Sequence, residues 1–321
     1  MNNTASNATL SSGPVSGGSP SSPNATGRGI AGEKAAIEVL RPERLETPII
    51  FASPHSGRDY PTDLLRNSRL DRHGLRQSED CYVDLLFDRA PEYGAPLLRA
   101  LFPRAYVDVN RARNEIDPRM FSDEISDPID AHSNRVISGL GVIPRIVADG
   151  HDIYGRKLRY RETRRRLEVC YDPYHRALSG LIEDARKAFG MAIVIDCHSM
   201  PSAGVGGYRD QPALIGFVLG DRYGSSCSPA ISGLVEETLT SDECRVVRNV
   251  PYAGGFVASS YGRPRKGVHV IQIEVNRALY LDEARITRTD GFDGLRDRMT
   301  NLIDCLVRQA PDRIWPAQAA E

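Results

Sequence analysis

Three short apolar runs constrain most strongly what this chain can fold into. Ile49-Ile50-Phe51-Ala52-Ser53 leads into Pro54-His55-Ser56-Gly57, and Ala192 to Ile195 leads into Asp196-Cys197-His198-Ser199-Met200. The third, Ile271-Gln272-Ile273-Glu274-Val275, leads into Asn276-Arg277. Runs of this length bounded by turn residues read as buried strands of an α/β sheet. Open α/β sheets carry their chemistry at the carboxyl ends of the strands. His55, His198 and Glu274 are therefore expected to converge, although they are far apart in the chain. Two imidazoles and a carboxylate at one sheet rim suggest a hydrolytic zinc.

The remaining pattern alternates in the same way. Ala35 to Leu40, Pro96 to Leu101, Ala105 to Val109, Ala213 to Leu219 and Val246 to Asn249 read as further strands. Asp80 to Glu92 reads as a helix with Val83, Leu85, Leu86 and Phe87 on its apolar side and Gly94 as a stop. Helical spacing recurs over 156–189, broken near Asp172-Pro173, and again over 228–239 and 291–309. Asn114 to Asn134 is a polar stretch long enough to form a lid or binding loop. Strands alternating with helices predict a mostly parallel or mixed sheet with helices on both faces.

Composition narrows the function. The chain has 321 residues and a formal net charge of −1, which gives no support for nucleic-acid or membrane-surface binding. A small-molecule substrate is the expected partner. No apolar run approaches the ~18 residues that span a bilayer. The six cysteines, Cys81, Cys170, Cys197, Cys227, Cys244 and Cys305, form no C-x-x-C pair, which fits a reducing cytoplasm. Met1 to Gly27 is almost all Ser, Asn, Gly, Pro, Ala and Thr, too poor in large apolar side chains to offset its ordering entropy. Residues 1–33 are therefore expected to be a disordered tail, and 34–321 a single domain.

Around the three rim residues stand further candidates. Asp196 lies two residues before His198, so on a strand the two share a face and Asp196 can orient the ring. Glu274 among Ile271, Ile273 and Val275 needs a cleft or a partner such as Arg277, and in a cleft it is a candidate general base. Asn110-Arg111 ends an apolar run, and an arginine fork matches a carboxylate. Arg277, after Asn276, is a second cation of that kind. His175, flanked by Tyr171 and Tyr174, reads first as a helix anchor and second as a substrate contact. The acidic metal ligand stays open at this point. His-x-x-Glu spacing fails because Arg58 occupies that place, leaving Asp59, Glu79 and Asp80, with Asp84 one predicted helical turn beyond Asp80.

Taken in order, Pro54-His55-Ser56-Gly57, Asp80-x-x-x-Asp84, Val107-Asp108-Val109-Asn110-Arg111, Pro173-Tyr174-His175, Asp196-Cys197-His198-Ser199-Met200 and Gln272-Ile273-Glu274-Val275-Asn276-Arg277 resemble the N-formylglutamate amidohydrolase family. That family is similar in plan to the zinc carboxypeptidases and the aspartoacylase-type deacylases. The resemblance implies a three-layer α/β/α fold on a mixed, mostly parallel sheet and one zinc per chain. It implies His55 and His198 as ligands, with Asp80 as the family's acidic position. It further implies Glu274 as base, and Asn110 with Arg111 on the substrate carboxylate. The implied activity is hydrolysis of N-formyl-L-glutamate in histidine degradation. Two other readings are weighed beside it: a hydrolase of another amide such as a muropeptide, and a non-catalytic binder of small anionic amino acids.

Overall fold

A computed structural model describes Met1 and residues 35–147, 150–208 and 214–318. The tail read from composition lies, Met1 apart, outside the described residues.

The apolar runs form the middle of one seven-stranded sheet. Its strands are β1 (Ile37–Leu40), β2 (Ile49–Ser53), β3 (Leu97–Ala100), β4 (Ala192–Met200), β5 (Leu214–Gly220), β6 (Cys244–Arg248) and β7 (Val268–Asn276). The order across the sheet is β1-β3-β2-β4-β7-β5-β6. β3, β2, β4 and β7 run parallel, as do β5 and β6. β1 is antiparallel to β3, and β5 to β7. The sheet is thus mixed and mostly parallel, as the alternating pattern predicts.

Both faces are covered. Ile50, Ala52, Val194 and Val270 pack on one side with Tyr174, Leu178, Leu181 and Ala185 of the Asp172–Phe189 helix. Phe51, Ile195, Ile273 and Val275 pack on the other with the Pro229–Leu239 and Gly291–Gln318 helices. Alternation along β4 and β7 therefore sends odd and even positions into separate cores. Every residue of β2, β4 and β7 is buried, as expected for central parallel strands.

Two expectations are corrected. Asp80 to Glu92 is not one helix: only Val83–Leu86 is helical, followed by a 3₁₀ turn at Ala90–Tyr93. Tyr82, at φ 63°, enters the left-handed region just before the helix. This break leaves Asp80 outside the helix, so Asp80 and Asp84 do not share a helix face. Ala105 to Val109 is not a strand either. Its backbone bonds go to Pro103 O and Val142 O instead of a sheet neighbour, so its apolar residues line the core as a loop. The break near Asp172 is a π-helical turn at Leu167–Tyr171. Among the described residues no helix is long and apolar enough to cross a membrane, and no cysteine is joined in a disulfide.

Candidate metal centre and active site

Because β2, β4 and β7 are parallel, their carboxyl ends open on the same rim. His55 follows β2 in a turn pressed against the chain at Leu101 and Phe102. A Cβ on Gly57 would lie 2.0 Å from Phe102 O, so only glycine allows the close approach that sets the ring's position. His198 lies within β4 and Glu274 within β7, and the two are register partners. Asp80 is carried in by its loop, where its N–H donates to His55 O at 3.1 Å.

The two imidazoles are held alike. His55 Nε2 lies 2.8 Å from Asp108 Oδ1, and His198 Nε2 lies 3.0 Å from Asp196 Oδ2. Their Nδ1 atoms turn toward the same carboxylate oxygen, Asp80 Oδ2, at 3.3 Å from His55 and 2.9 Å from His198. The ring centroids are 4.8 Å apart. All three side chains are buried, and their ligand atoms lie within 4.8 Å of one another.

This arrangement fits a bound cation. With each Nε2–H donated outward to a carboxylate, each Nδ1 presents a lone pair to Asp80. Lone pairs aimed at an anionic oxygen are tolerated only with a proton or metal between them. His55 Nδ1 is buried without a hydrogen-bond partner. Without a cation the group resolves the conflict by ionising. Against the cost of burial, the Asp196 and Asp80 carboxylates push the His198 ring well above its ordinary pKa. Against the same cost, both imidazoles hold the Asp80 carboxyl far below the usual carboxylate range. Two imidazoles backed by carboxylates, with one acidic side chain between them, are a donor set able to hold a metal ion.

The other acidic candidates point elsewhere. The Glu79 carboxylate accepts from Tyr60 Oη at 2.5 Å and pairs with Arg76 Nε at 3.0 Å. Asp84 takes two bonds from Arg58 and one from Arg99. Asp59 is exposed.

Glu274 shares a sheet face with Asp196, His198 and Gln272. Its Oε1 accepts from Gln272 Nε2 at 2.6 Å, and Gln272 Oε1 in turn accepts from Gly255 N. Burial lifts the Glu274 carboxyl to about 7.

Asn110 braces the centre. Its Nδ2 donates to Asp196 Oδ2 at 3.3 Å and lies 3.0 Å from His198 Nε2, while its Oδ1 accepts from Val257 N. Arg111 donates to Leu140 O and Asn110 O and stands 3.6 Å from Asp108. Arg277 donates to Glu79 O at 2.6 Å and reaches Ser199 Oγ and Asp80 Oδ1. His175 has one ring nitrogen on Tyr261 Oη and the other on Val109 O.

Sequence reasoning gave no role to four residues here. Asp108 backs His55, and Gln272 holds Glu274. Arg104 pairs with Asp108 at 2.9 Å and feels the charges of Asp80 and Glu274. The Tyr252 hydroxyl, raised by burial and then by Glu274, lies in the field of Arg277, Asp80 and Arg104. For Asp108 a signal existed, since it is two residues before Asn110 in a run already singled out. Arg104 and Tyr252 carry none that separates them from the chain's other arginines and tyrosines.

The family model described as FGase, N-formylglutamate amidohydrolase, matches residues 47–281. The chain belongs to the N-formylglutamate amidohydrolase family. It is a hydrolase acting on an amide bond. An N-formylglutamate deformylase of Pseudomonas aeruginosa is 27% identical over 281 residues, covering 86% of this chain and 98% of that one. A Pseudomonas putida protein of the same name is 26% identical, covering 74% and 82%. The crystal structure of an N-formylglutamate amidohydrolase from Ralstonia eutropha JMP134 superposes with a TM-score of 0.79 at 34% identity, covering 87% of this chain and 99% of that one. The Agrobacterium tumefaciens gene product Atu2144, at 16% identity and TM-score 0.54, shares the fold.

Proposed function

We propose that this amidohydrolase is a zinc enzyme that cleaves N-formyl-L-glutamate, or a closely related N-acyl amino acid, to the free amino acid and formate or the corresponding acid. The observation that carries the reading is the convergence of His55 Nδ1, His198 Nδ1 and Asp80 Oδ2 beside Glu274. The names of its relatives supply the acyl group. We place the reaction, with family members that cleave formylglutamate, in histidine degradation in the cytoplasm.

His55, Asp80 and His198 would hold the zinc ion, which when bound would supply Lewis acidity toward the formyl carbonyl and toward water. Glu274 takes the proton of the attacking water and returns it to the leaving nitrogen. A carboxyl near 7 suits both halves of that task, since it is readily deprotonated and readily reprotonated at neutral pH. Gln272 holds Oε1 of Glu274, and the proton transfer is assigned to the other oxygen. Arg104, in the field of Asp80 and Glu274, is placed to meet negative charge as the carbonyl becomes tetrahedral. Arg111 and Arg277 border the centre and are assigned to the substrate carboxylates, which a planar fork matches. Asn110 and His175 are assigned to the same substrate contact, beside their bonds to Asp196 and to Tyr261 and Val109.

The test is a turnover screen of zinc-loaded protein against N-formyl, N-acetyl and N-succinyl amino acids. N-formylglutamate should show the highest kcat/KM. Turnover of none of them would sink the proposal.

A further inference from the structure

Two polar atoms beside the centre have no hydrogen-bond partner: the Tyr174 hydroxyl and Asp196 Oδ1. Both residues are fully buried. Orphaned polar atoms in a dry core are costly, so a pair on one sheet face calls for an explanation. Tyr174 sits in the first turn of the Asp172–Phe189 helix, which packs on the sheet face formed by Ala52, Val194 and Val270. Asp196 is two residues beyond Val194 on the same face of β4. Its other oxygen, Oδ2, holds His198 Nε2.

We propose that Tyr174 is a positioning residue of the metal centre: its hydroxyl holds Asp196 Oδ1 through one buried water. The chain then runs Tyr174, water, Asp196, His198. The hydroxyl donates to the water and the water donates to Oδ1, so each link has a donor and an acceptor. Burial and the Asp196 carboxylate both keep the phenol protonated, which makes it a donor. Two polar partners are the minimum that retains a buried water. Asp196 has no other brace on Oδ1, so the hydroxyl settles which way the carboxylate is turned. That orientation decides how firmly Asp196 keeps the His198 proton on Nε2 and the lone pair on Nδ1. The inference rests on the reading of His55, Asp80 and His198 as metal ligands.

The test is Tyr174→Phe, which keeps the ring and its packing. Zinc affinity is measured by competition with a chromogenic chelator, and the melting temperature of the metal-free protein is followed separately. The parent protein and His198→Ala are run beside it. Zinc affinity should fall about tenfold to a hundredfold, the usual weight of a partner behind a ligating histidine. The metal-free melting temperature should change little, and KM less than zinc affinity. In an Asp196→Ala background the same substitution should add almost nothing, because the link is already broken. Unchanged zinc affinity with equal or higher stability would overturn the proposal and show a plain orphan hydroxyl. An equal loss in both backgrounds would overturn it too, by showing that Tyr174 acts without Asp196. A parent protein that binds zinc no better than His198→Ala would overturn the ligand assignment, and this inference with it.

Discussion

His198 and Glu274 are register partners on the parallel strands β4 and β7, on the same sheet face as Asp196 and Gln272. A candidate metal ligand and a candidate base thus stand side by side, each with its own polar support. Their separation is set by strand spacing, about 4.8 Å between backbones, not by a mobile loop. Substitutions should therefore separate metal binding from proton transfer cleanly.

His198→Ala and His55→Ala should each release the metal. The centre should hold about one zinc per chain in the parent protein, as in mononuclear hydrolases. Metal analysis of purified variants checks this, and full zinc in both would remove them from the site.

Glu274→Gln keeps the side chain's size but cannot accept a proton. The expected outcome is a kcat lower by roughly 10² to 10⁴ with zinc content and KM little changed. If the variant loses zinc instead, Glu274 is a ligand and the roles are reversed.

Asp80→Ala should weaken zinc retention, because Asp80 Oδ2 is the oxygen both Nδ1 atoms face. Asp84→Ala should leave zinc bound and lower the melting temperature, since its carboxylate is occupied by Arg58 and Arg99. Equal zinc affinity in Asp80→Ala and the parent would refute the assignment.

Stability should fall on acidification, in part through His269. Its ring is buried in β7, with Nδ1 accepting from Ser228 N, and burial lowers its pKa from 6.5 to about 4. Between those values the unfolded chain binds the proton that the folded chain refuses. The stability it protects is therefore present above pH 6.5 and is lost as pH falls to 4, by up to about 3 kcal/mol. His269→Asn keeps an acceptor and removes the titration. Denaturant melts across this range should show a shallower acid slope for the variant, and parallel slopes would count against the assignment.

How much of this was legible in the sequence depends on what each residue borders. His55, His198 and Glu274 announce themselves because each interrupts or follows an apolar run, where a polar group needs a reason. The sheet follows from the same runs. Asp80 is harder to see. Its segment has helical spacing, and nothing in that spacing reveals the left-handed turn at Tyr82 that swings Asp80 toward the histidines. Ala105 to Val109 has the side chains of a strand but no strand to pair with, a fact that belongs to the tertiary fold. Gln272 and Arg104 are ordinary polar residues until Glu274 and Asp108 are placed beside them.

The strand order has a consequence for assembly. β7 begins at residue 268, yet it lies between β4 and β5, in the centre of the sheet. It brings Glu274, and Arg277 just beyond it clasps the Glu79 carbonyl and Asp80 from nearly two hundred residues away. The chain must close long loops before either group arrives, and such non-local pairing is slow. Under the proposed mechanism, hydrolytic competence therefore cannot precede insertion of β7 into the sheet. On the proposed reading, a nascent or clipped chain that lacks this late strand has neither its base nor the clasp on Asp80, so activity reports that the strand has docked.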